Sequence, residues 1–351
     1  MHRVTRVGLI GLGYWGPNYA RILNELSDAT LAWACDIDPT ALELVRGRFP
    51  TVRLTTQPAE VFEDPSVDAV VIATPTTLHA ELTLAALSAG KHVLCEKPLA
   101  MSVSECDELI EASKAAGRVL MVGHTFIFNP AVRRMRELIA AGELGTVLYC
   151  HASRTGLGPI RADVNALWDL APHDISIVLD LLETEPVQVA AHGEAYLRPE
   201  TEDVVFVTLR FEGSALANLH VSWLDPYKIR KVTVIGDRRM VVFDDVATDE
   251  KLRLFDKGAS YDSAAAEARG TEYGEYKAIV RDGDIVIPNL RSTEPLKEEV
   301  SHFLECCRSG SKPETDADSG KRVVAVLEAA SESLRQGGAV IDLAWLESSR
   351  A

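Results

Sequence analysis

Val7-Gly8-Leu9-Ile10 runs directly into Gly11-Leu12-Gly13-Tyr14-Trp15-Gly16, and the reading of this stretch decides the fold of the first third of the chain. An apolar strand, a G-x-G-x-x-G turn and an amphipathic helix, predicted over Trp15 to Leu26, form the context in which a weak glycine motif points to dinucleotide binding. Gly11 permits the tight turn, Gly13 lets backbone approach a pyrophosphate, and Gly16 lets helix and strand pack closely. The helix N-terminus offers unpaired N–H groups to the phosphates. Tyr14 and Trp15 lie inside the fingerprint and join the cofactor-binding set, although their rings suit packing. Asp36 ends the second predicted strand, about 20 residues after Gly16, where a carboxylate accepts hydrogen bonds from adenosine ribose hydroxyls. The same carboxylate repels a 2′-phosphate, so NAD is the expected cofactor rather than NADP. A glycine turn in another α/β protein, such as a methyltransferase, is the competing reading, and strand, helix and acid together weigh against it.

Outward from this motif, short β-branched runs alternate with segments of helical period, the sign of parallel β-α-β units. Strands are predicted over Val4 to Ile10, Thr30 to Cys35, Ala69 to Ala73, His92 to Cys95 and Val119 to Val122, with helices at Trp15 to Leu26, Pro39 to Arg48, Leu78 to Ser88 and Val103 to Ala115. From about Gly123 the pattern changes. A helix at Pro130 to Ala141 and another from Pro172 to Leu182 precede alternating runs with hairpin-sized connections, which imply an antiparallel sheet. These runs are Val187 to Tyr196, Val204 to Phe211, Ala215 to Trp223, Ile229 to Ile235 and Met240 to Phe243. Gly258 to Gly274 lacks a period and is expected to be a surface excursion. Helical patterns at Leu296 to Arg308 and Gly320 to Gln336 close the chain. The expected class is α/β: a doubly wound Rossmann domain over residues 1–123, then an α+β domain over 124–351 whose final helices can pack back on the first.

The 52 acidic and 36 basic residues leave a formal net charge of −16 over 351 residues, which argues against a non-specific nucleic-acid binder. With 47% hydrophobic and 25% charged residues, a chain of this length can bury two cores. No apolar stretch approaches the ~20 residues of a membrane span. Residues Met1 to Arg6 leave no room for a secretory leader before the first strand, so a soluble, cytoplasmic protein is expected. Six cysteines without a C-x-x-C pair read as buried thiols in a reducing compartment.

Two further stretches carry chemistry. Val93-Leu94-Cys95-Glu96-Lys97-Pro98 puts a charged pair directly after a buried strand, at the carboxyl edge where doubly wound folds bind ligands. A lysine so placed, desolvated and close to a positive nicotinamide, exchanges protons near neutral pH. Trp168-Asp169-Leu170-Ala171-Pro172-His173-Asp174 then enters an apolar helix, with Pro172 expected in its first turn. Asp169 and His173 are four apart and share a face if the turn is helical from its start. Helix capping by Asp169 or Asp174 and a structural role for His173 are the plain alternatives.

With these residues in place the chain resembles the Gfo/Idh/MocA family, named for glucose-fructose oxidoreductase, inositol dehydrogenase and a rhizopine-catabolism protein, over nearly its whole length. Gly11 to Gly16, Ala73-Thr74-Pro75-Thr76-Thr77-Leu78-His79, Glu96-Lys97-Pro98 and Asp169-x-x-x-His173 carry the resemblance. Within the family the text is most similar to dehydrogenases that oxidise C3 of nucleotide-activated sugars of the UDP-N-acetylglucosaminuronate type. That similarity rests on Gly123-His124-Thr125-Phe126 with Asn129-Pro130 and on the run from Arg161 through Asp163, Asn165 and Leu167 to Asp174. His124 stands where many members carry Asn. The resemblance implies a second domain with a large, open, mostly antiparallel sheet whose face packs against another subunit, as a homodimer or homotetramer.

It also implies hydride transfer between a secondary alcohol of a sugar and the nicotinamide, with Lys97 and His173 as the acid/base pair and Asp169 supporting them. Thr74, Pro75, His79 and His124 are then expected beside the nicotinamide ribose, with Glu96 anchoring that ribose. Arg154, Arg161 and Asn165 are candidate substrate contacts, because an anionic substrate approaching an acidic protein needs local cations; solvated loop residues are the alternative. No His, Cys or carboxylate cluster has metal-ligand spacing, so no metal is expected. Dehydrogenation of free polyols or inositols, an NADPH-dependent reduction of a nucleotide-bound keto sugar, and a catalytically silent NAD-binding scaffold remain the alternatives.

Overall fold

The structure, a computed structural model, describes residues 4–213, 215–261 and 278–343. The chain divides into two compact units, Met1–Asn129 with Thr293–Glu328, and Pro130–Ser292 with Ala329–Ala351. The first division falls a few residues beyond Gly123.

In the first unit, β1 (Thr5–Ile10), β2 (Ala29–Cys35), β3 (Arg53–Thr55), β4 (Ala69–Ile72), β5 (His92–Glu96) and β6 (Leu120–Gly123) form one parallel sheet in the order β3-β2-β1-β4-β5-β6. The connecting helices are α1 (Gly16–Glu25), α2 (Pro39–Arg48), α3 (Pro58–Glu63), α4 (His79–Ser88) and α5 (Val103–Ala116). This is the Rossmann order, and it reverses between β1 and β4, the switch point at which such sheets bind ligands. The loops after those two strands are Gly11 to Trp15 and Ala73 to Pro75.

Sequence periodicity missed β3 and α3, which are too short to show a period. They are held instead by side chains: Trp33 Nε1 donates to Asp64 at 2.8 Å, and the Arg53 guanidinium lies 4.0 Å from the centre of the Trp33 ring. From the returning segment, α8 (Pro295–Ser309) buries Leu296, Val300, Phe303 and Leu304 in the same core as Tyr19, Ile22, Leu23, Ile127 and Phe128.

The second unit is built on a nine-stranded sheet. Beside α6 (Pro130–Ala140) and α7 (Ala166–Leu182), it contains β7 (Val147–Thr155), β8 (Pro186–Glu194), β9 (Val204–Phe211), β10 (Leu216–Ser222), β11 (Ile229–Gly236), β12 (Met240–Asp244) and β13 (Leu252–Phe255). An antiparallel pair of β14 (Gly258–Tyr261) and β15 (Ala278–Arg281) follows, then β16 (Ile285–Val286) and β17 (Ile341–Asp342); α9 (Ala317–Arg335) begins in the first unit's residues and ends in the second's. The sheet order is β16-β13-β12-β11-β7-β10-β9-β8-β17. Every pairing is antiparallel except β7 with β10.

Three sequence expectations change. β7, the strand that joins the two halves of the sheet, was not foreseen, because its inward positions are Cys150, Ala152 and Arg154 while Leu148 and Tyr149 face outward. Its hydrophobic alternation is therefore inverted. Helix α7 starts at Ala166, so Pro172 sits in its second turn rather than its first and withholds the N–H that would bond to the Trp168 carbonyl. The expected surface excursion opens with a strand, β14, and its remainder from residue 262 lies outside the described residues.

Alternation elsewhere is regular. Along β9, Val205, Val207, Leu209 and Phe211 are buried, while Phe206, Thr208 and Arg210 face outward. The outward Phe206 ring stacks on His220 of β10 with centroids 4.4 Å apart.

All six cysteines are free thiols, and burial pushes those of Cys35, Cys106 and Cys150 up to about 12. Among the described residues no helix is long and apolar enough to cross a membrane. Leu209→Ala, which empties a fully buried position, is expected to cost about 2–5 kcal/mol in chemical denaturation. Thr208→Ala, one residue away on the outer face, is expected to change stability by less than about 0.5 kcal/mol.

Candidate active site

The glycine turn is set by backbone crowding. Gly11 has φ of 94°, and a Cβ built on it would lie 2.6 Å from the carbonyl oxygen of Ala73. A Cβ on Gly16 would collide with the carbonyl of Gly11, so the first turn of α1 rests directly on the end of β1. Gly13 differs: a Cβ there meets no protein atom within 4 Å. Helix α1 begins with no acidic residue in its first turn and no side-chain cap from Trp15, so its N–H groups and dipole face outward without an internal counter-charge. Tyr14 is 83% exposed and meets Trp15 edge-on at 6.0 Å, so its ring serves no core.

Asp36 follows β2 and ties the turn together. Its Oδ2 accepts from Leu12 N at 2.6 Å and its Oδ1 from Asp38 N at 2.8 Å, while Asp38 caps α2 through Thr40 N. Asp36 thus holds the turn at the place where a ribose-binding acid is needed.

At the carboxyl edge, the loops after β4, β5 and β6 gather Thr74, Lys97 and His124. The Thr74 hydroxyl and both ring nitrogens of His124 are buried with no partner among the described residues. His124 is 2% exposed, and its imidazole is pushed down to about 3 by burial, then by the nearby charges of Lys97 and Arg322. It is therefore neutral, with one donor and one acceptor to offer. These unmatched polar atoms, the open side of Gly13 and the uncapped helix fit a bound dinucleotide.

Two expected cofactor contacts have other work. His79 is 1% exposed and lies between two carbonyls, with Nδ1 2.7 Å from Pro98 O and Nε2 3.0 Å from Thr74 O. It staples the β4 and β5 loops to each other, leaving Pro75 on the outer side of that loop. Glu96 turns inward: Oε1 accepts from Tyr19 Oη at 2.9 Å and Oε2 from the backbone N–H of Lys97 at 3.1 Å. It shapes the turn that carries Lys97.

In the second unit Asp169 and His173 lie one helical turn apart on α7. Asp169 does not cap the helix. Asn165 does, accepting from Trp168 N at 3.1 Å while its amide donates to Glu202 at 2.6 Å. Asp169 instead accepts from Trp223 Nε1 at 3.1 Å and from Arg161 Nη1 at 3.3 Å, and Arg161 also grips Asp163 through Nε and Nη2. Trp223, only 2% exposed, was missed because it lies 54 residues from Asp169 in the chain and ends an ordinary strand pattern.

Arg154 lies inside the second unit. It is 4% exposed and bonds Asp174 at 2.7 and 3.1 Å on one oxygen and 3.2 Å on the other. A buried guanidinium held this way fastens β7 to α7. Among the described residues no group of three or more His, Cys, Asp or Glu is placed to hold a metal.

Residues 5–124 match the oxidoreductase family described as an NAD-binding Rossmann fold, and residues 132–242 match the Gfo/Idh/MocA C-terminal domain. The chain belongs to the Gfo/Idh/MocA oxidoreductase family. Among its relatives, the inositol 2-dehydrogenase of Acidothermus cellulolyticus is 33% identical over 227 residues, covering 63% of this chain and 67% of that protein. The NAD(+)-dependent scyllo-inositol 2-dehydrogenase of Bacillus subtilis is 28% identical over 353 residues, covering 96% of each. A solved UDP-N-acetylglucosamine 3-dehydrogenase from Acidithiobacillus ferrooxidans superposes with a TM-score of 0.79 at 26% identity, covering 95% of this chain and 98% of that one. This Gfo/Idh/MocA protein is accordingly an NAD-dependent dehydrogenase, and its first unit is the NAD-binding domain.

Two outcomes follow from the geometry. Asp36→Ser should weaken NAD binding by about 10- to 100-fold, as loss of charge-assisted hydrogen bonds does, while narrowing the gap to NADP; fluorescence titration with both cofactors measures it. Arg154→Met strands a buried carboxylate and should destabilise the protein by about 3–5 kcal/mol, seen as a lower denaturant midpoint.

Proposed function

We propose that the protein oxidises a secondary alcohol of a sugar or cyclic polyol, with Lys97 and His173 moving the hydroxyl proton. The observation that supports this most is the setting of Lys97: 8% exposed at the carboxyl end of β5, on a turn held by Glu96, beside a neutral His124. NAD, when bound, supplies the hydride acceptor. The chain's own part is to take the proton as the carbon–hydrogen bond breaks, since a free alkoxide in water is prohibitively basic. Asp169, fixed by Trp223 and Arg161, places a carboxylate one turn before His173 and favours its charged form once it has accepted a proton. Thr74 and His124 supply polar atoms for the nicotinamide-ribose end.

Two substrate classes compete. The sequence of the 161–174 segment and the likeness to a UDP-N-acetylglucosamine 3-dehydrogenase support a nucleotide-activated sugar oxidised at C3. The inositol 2-dehydrogenase relatives support a free cyclic polyol. The geometry favours the second, because Arg154 is buried against Asp174 and Arg161 is paired with Asp163 and Asp169. The cations expected to meet a nucleotide diphosphate already have carboxylate partners. The outward face of the second unit's sheet, with Tyr149 and Phe206 each about half exposed, supports assembly as a homo-oligomer through that face.

Lys97→Ala and His173→Ala should each lower kcat by about 10²- to 10⁴-fold while NAD binding is retained. Absorbance of NADH formed from inositols, free sugars and UDP-sugars reads both the loss and the substrate class. Normal turnover in both variants would sink the assignment.

A further inference from the structure

The first unit holds a pair of buried carboxyl groups, Glu96 and Glu299, the second of which the chemistry above does not use. Glu299 on α8 is fully buried. Its Oε2 accepts from Thr125 Oγ1 at 2.7 Å, and its Oε1 has no partner among the described residues. Glu96 is the neighbouring carboxyl. It accepts from the Tyr19 hydroxyl and from Lys97 N, and Gly123 closes the space beside it, since a Cβ there would lie 3.3–3.4 Å from Glu96 and Tyr19 Oη. The donors just named are two hydroxyls and one backbone N–H, all neutral. Two ionised carboxylates in so closed a space would each forgo hydration and repel the other. Glu96 takes at least these two donors, which favours its charged form. Glu299 takes one and leaves an oxygen unmatched, which favours the acid.

We propose that Glu299 is carried as a neutral carboxylic acid, so that Glu96 and Glu299 together hold one negative charge, and that Glu299 is a positioning residue for the Glu96–Lys97 turn. The functional half rests on the reading of Lys97 given above; the protonation state does not. A second ionised carboxylate beside Glu96 would repel it and disturb the turn whose Lys97 N–H it accepts. The titratable groups facing the pair agree with one charge. From α1, burial and then the charges of Glu96 and Glu299 hold the Tyr19 phenol well above its usual range, so it stays a donor. From β5 come Glu96 and the Cys95 thiol, itself pushed up by burial. On α8, His302 is engaged with Cys306 and Glu314 N, and the Arg21–Glu294 and Glu25–Lys297 pairs lie at the surface between α1 and α8. Burial, then Glu96, push the Glu299 carboxyl well above the ordinary glutamate range.

The sign of the pH dependence follows. The folded protein keeps a proton that the unfolded chain releases, so Glu299 stabilises the fold most fully below the usual glutamate range, and that contribution is lost as pH rises towards its folded value. Glu299→Gln, neutral at every pH, should therefore gain on wild type by up to about tenfold per pH unit in folded-to-unfolded ratio between about pH 5 and 8. Denaturant melts of the full-length protein across that range read it. Melts that stay parallel overturn the neutral acid. The wild-type protein alone should also show the infrared band of a protonated carboxyl at neutral pH. Its absence overturns the proposal even if the variant does not fold.

For positioning, Glu299→Gln should keep kcat within about threefold at neutral pH and lose the alkaline inflection of the wild-type kcat profile that Glu299 ionisation produces. Glu299→Ala, which removes the bond to Thr125, should lower kcat more than tenfold. Identical kcat profiles in all three proteins overturn the positioning role. Normal turnover of Lys97→Ala overturns the reading of Lys97 while the melts and the infrared band still decide the protonation state of Glu299.

Discussion

The close approach of backbone at Gly11 and Gly16 is the constraint on which the NAD-binding unit depends. No side chain can stand between the end of β1, the start of α1 and the Ala73 carbonyl at the end of β4, and that contact places the uncapped helix terminus at the sheet's switch point. Phosphate affinity then comes from oriented N–H groups, which reconciles pyrophosphate binding with a chain of net charge −16. Asp36 reinforces the same turn by bonding Leu12 N, at the position where a ribose-binding acid is expected.

Polar groups do comparable work in the second unit. A charge pair as deeply buried as Arg154 and Asp174 adds little net stability over an apolar pair, yet it is costly to break on one side. It therefore acts as a register pin between β7 and α7. Trp223 and Arg161 orient Asp169 from two other elements, so three separate parts of the chain hold the first turns of α7. A helix interrupted by Pro172 needs such anchors, since the proline removes one ladder bond where the candidate acid/base residues stand.

Much of this was legible locally. The Gly11 to Gly16 turn, the parallel β-α-β units and the regular alternation along β9 follow from short-range sterics and from the two periods of backbone structure, which neighbouring residues carry in full. β3, α3 and β7 escaped because their patterns are short or inverted. The partners of Arg154, Asn165, His79 and Glu96 escaped for another reason: each is set by a contact distant in sequence or by a helix start that periodicity misplaced.

By itself the sequence determined the class of the fold, the nucleotide-binding turn and the candidate acid/base residues, since these depend on backbone freedom at glycines, hydrophobic period and side-chain chemistry. Only the tertiary structure decided which polar side chains face inward. A guanidinium or carboxylate reads the same in sequence whether it meets a substrate or a buried counter-charge, and the difference lies in desolvation and partner geometry, which arise when α7 packs on β7 and when α8 returns to α1.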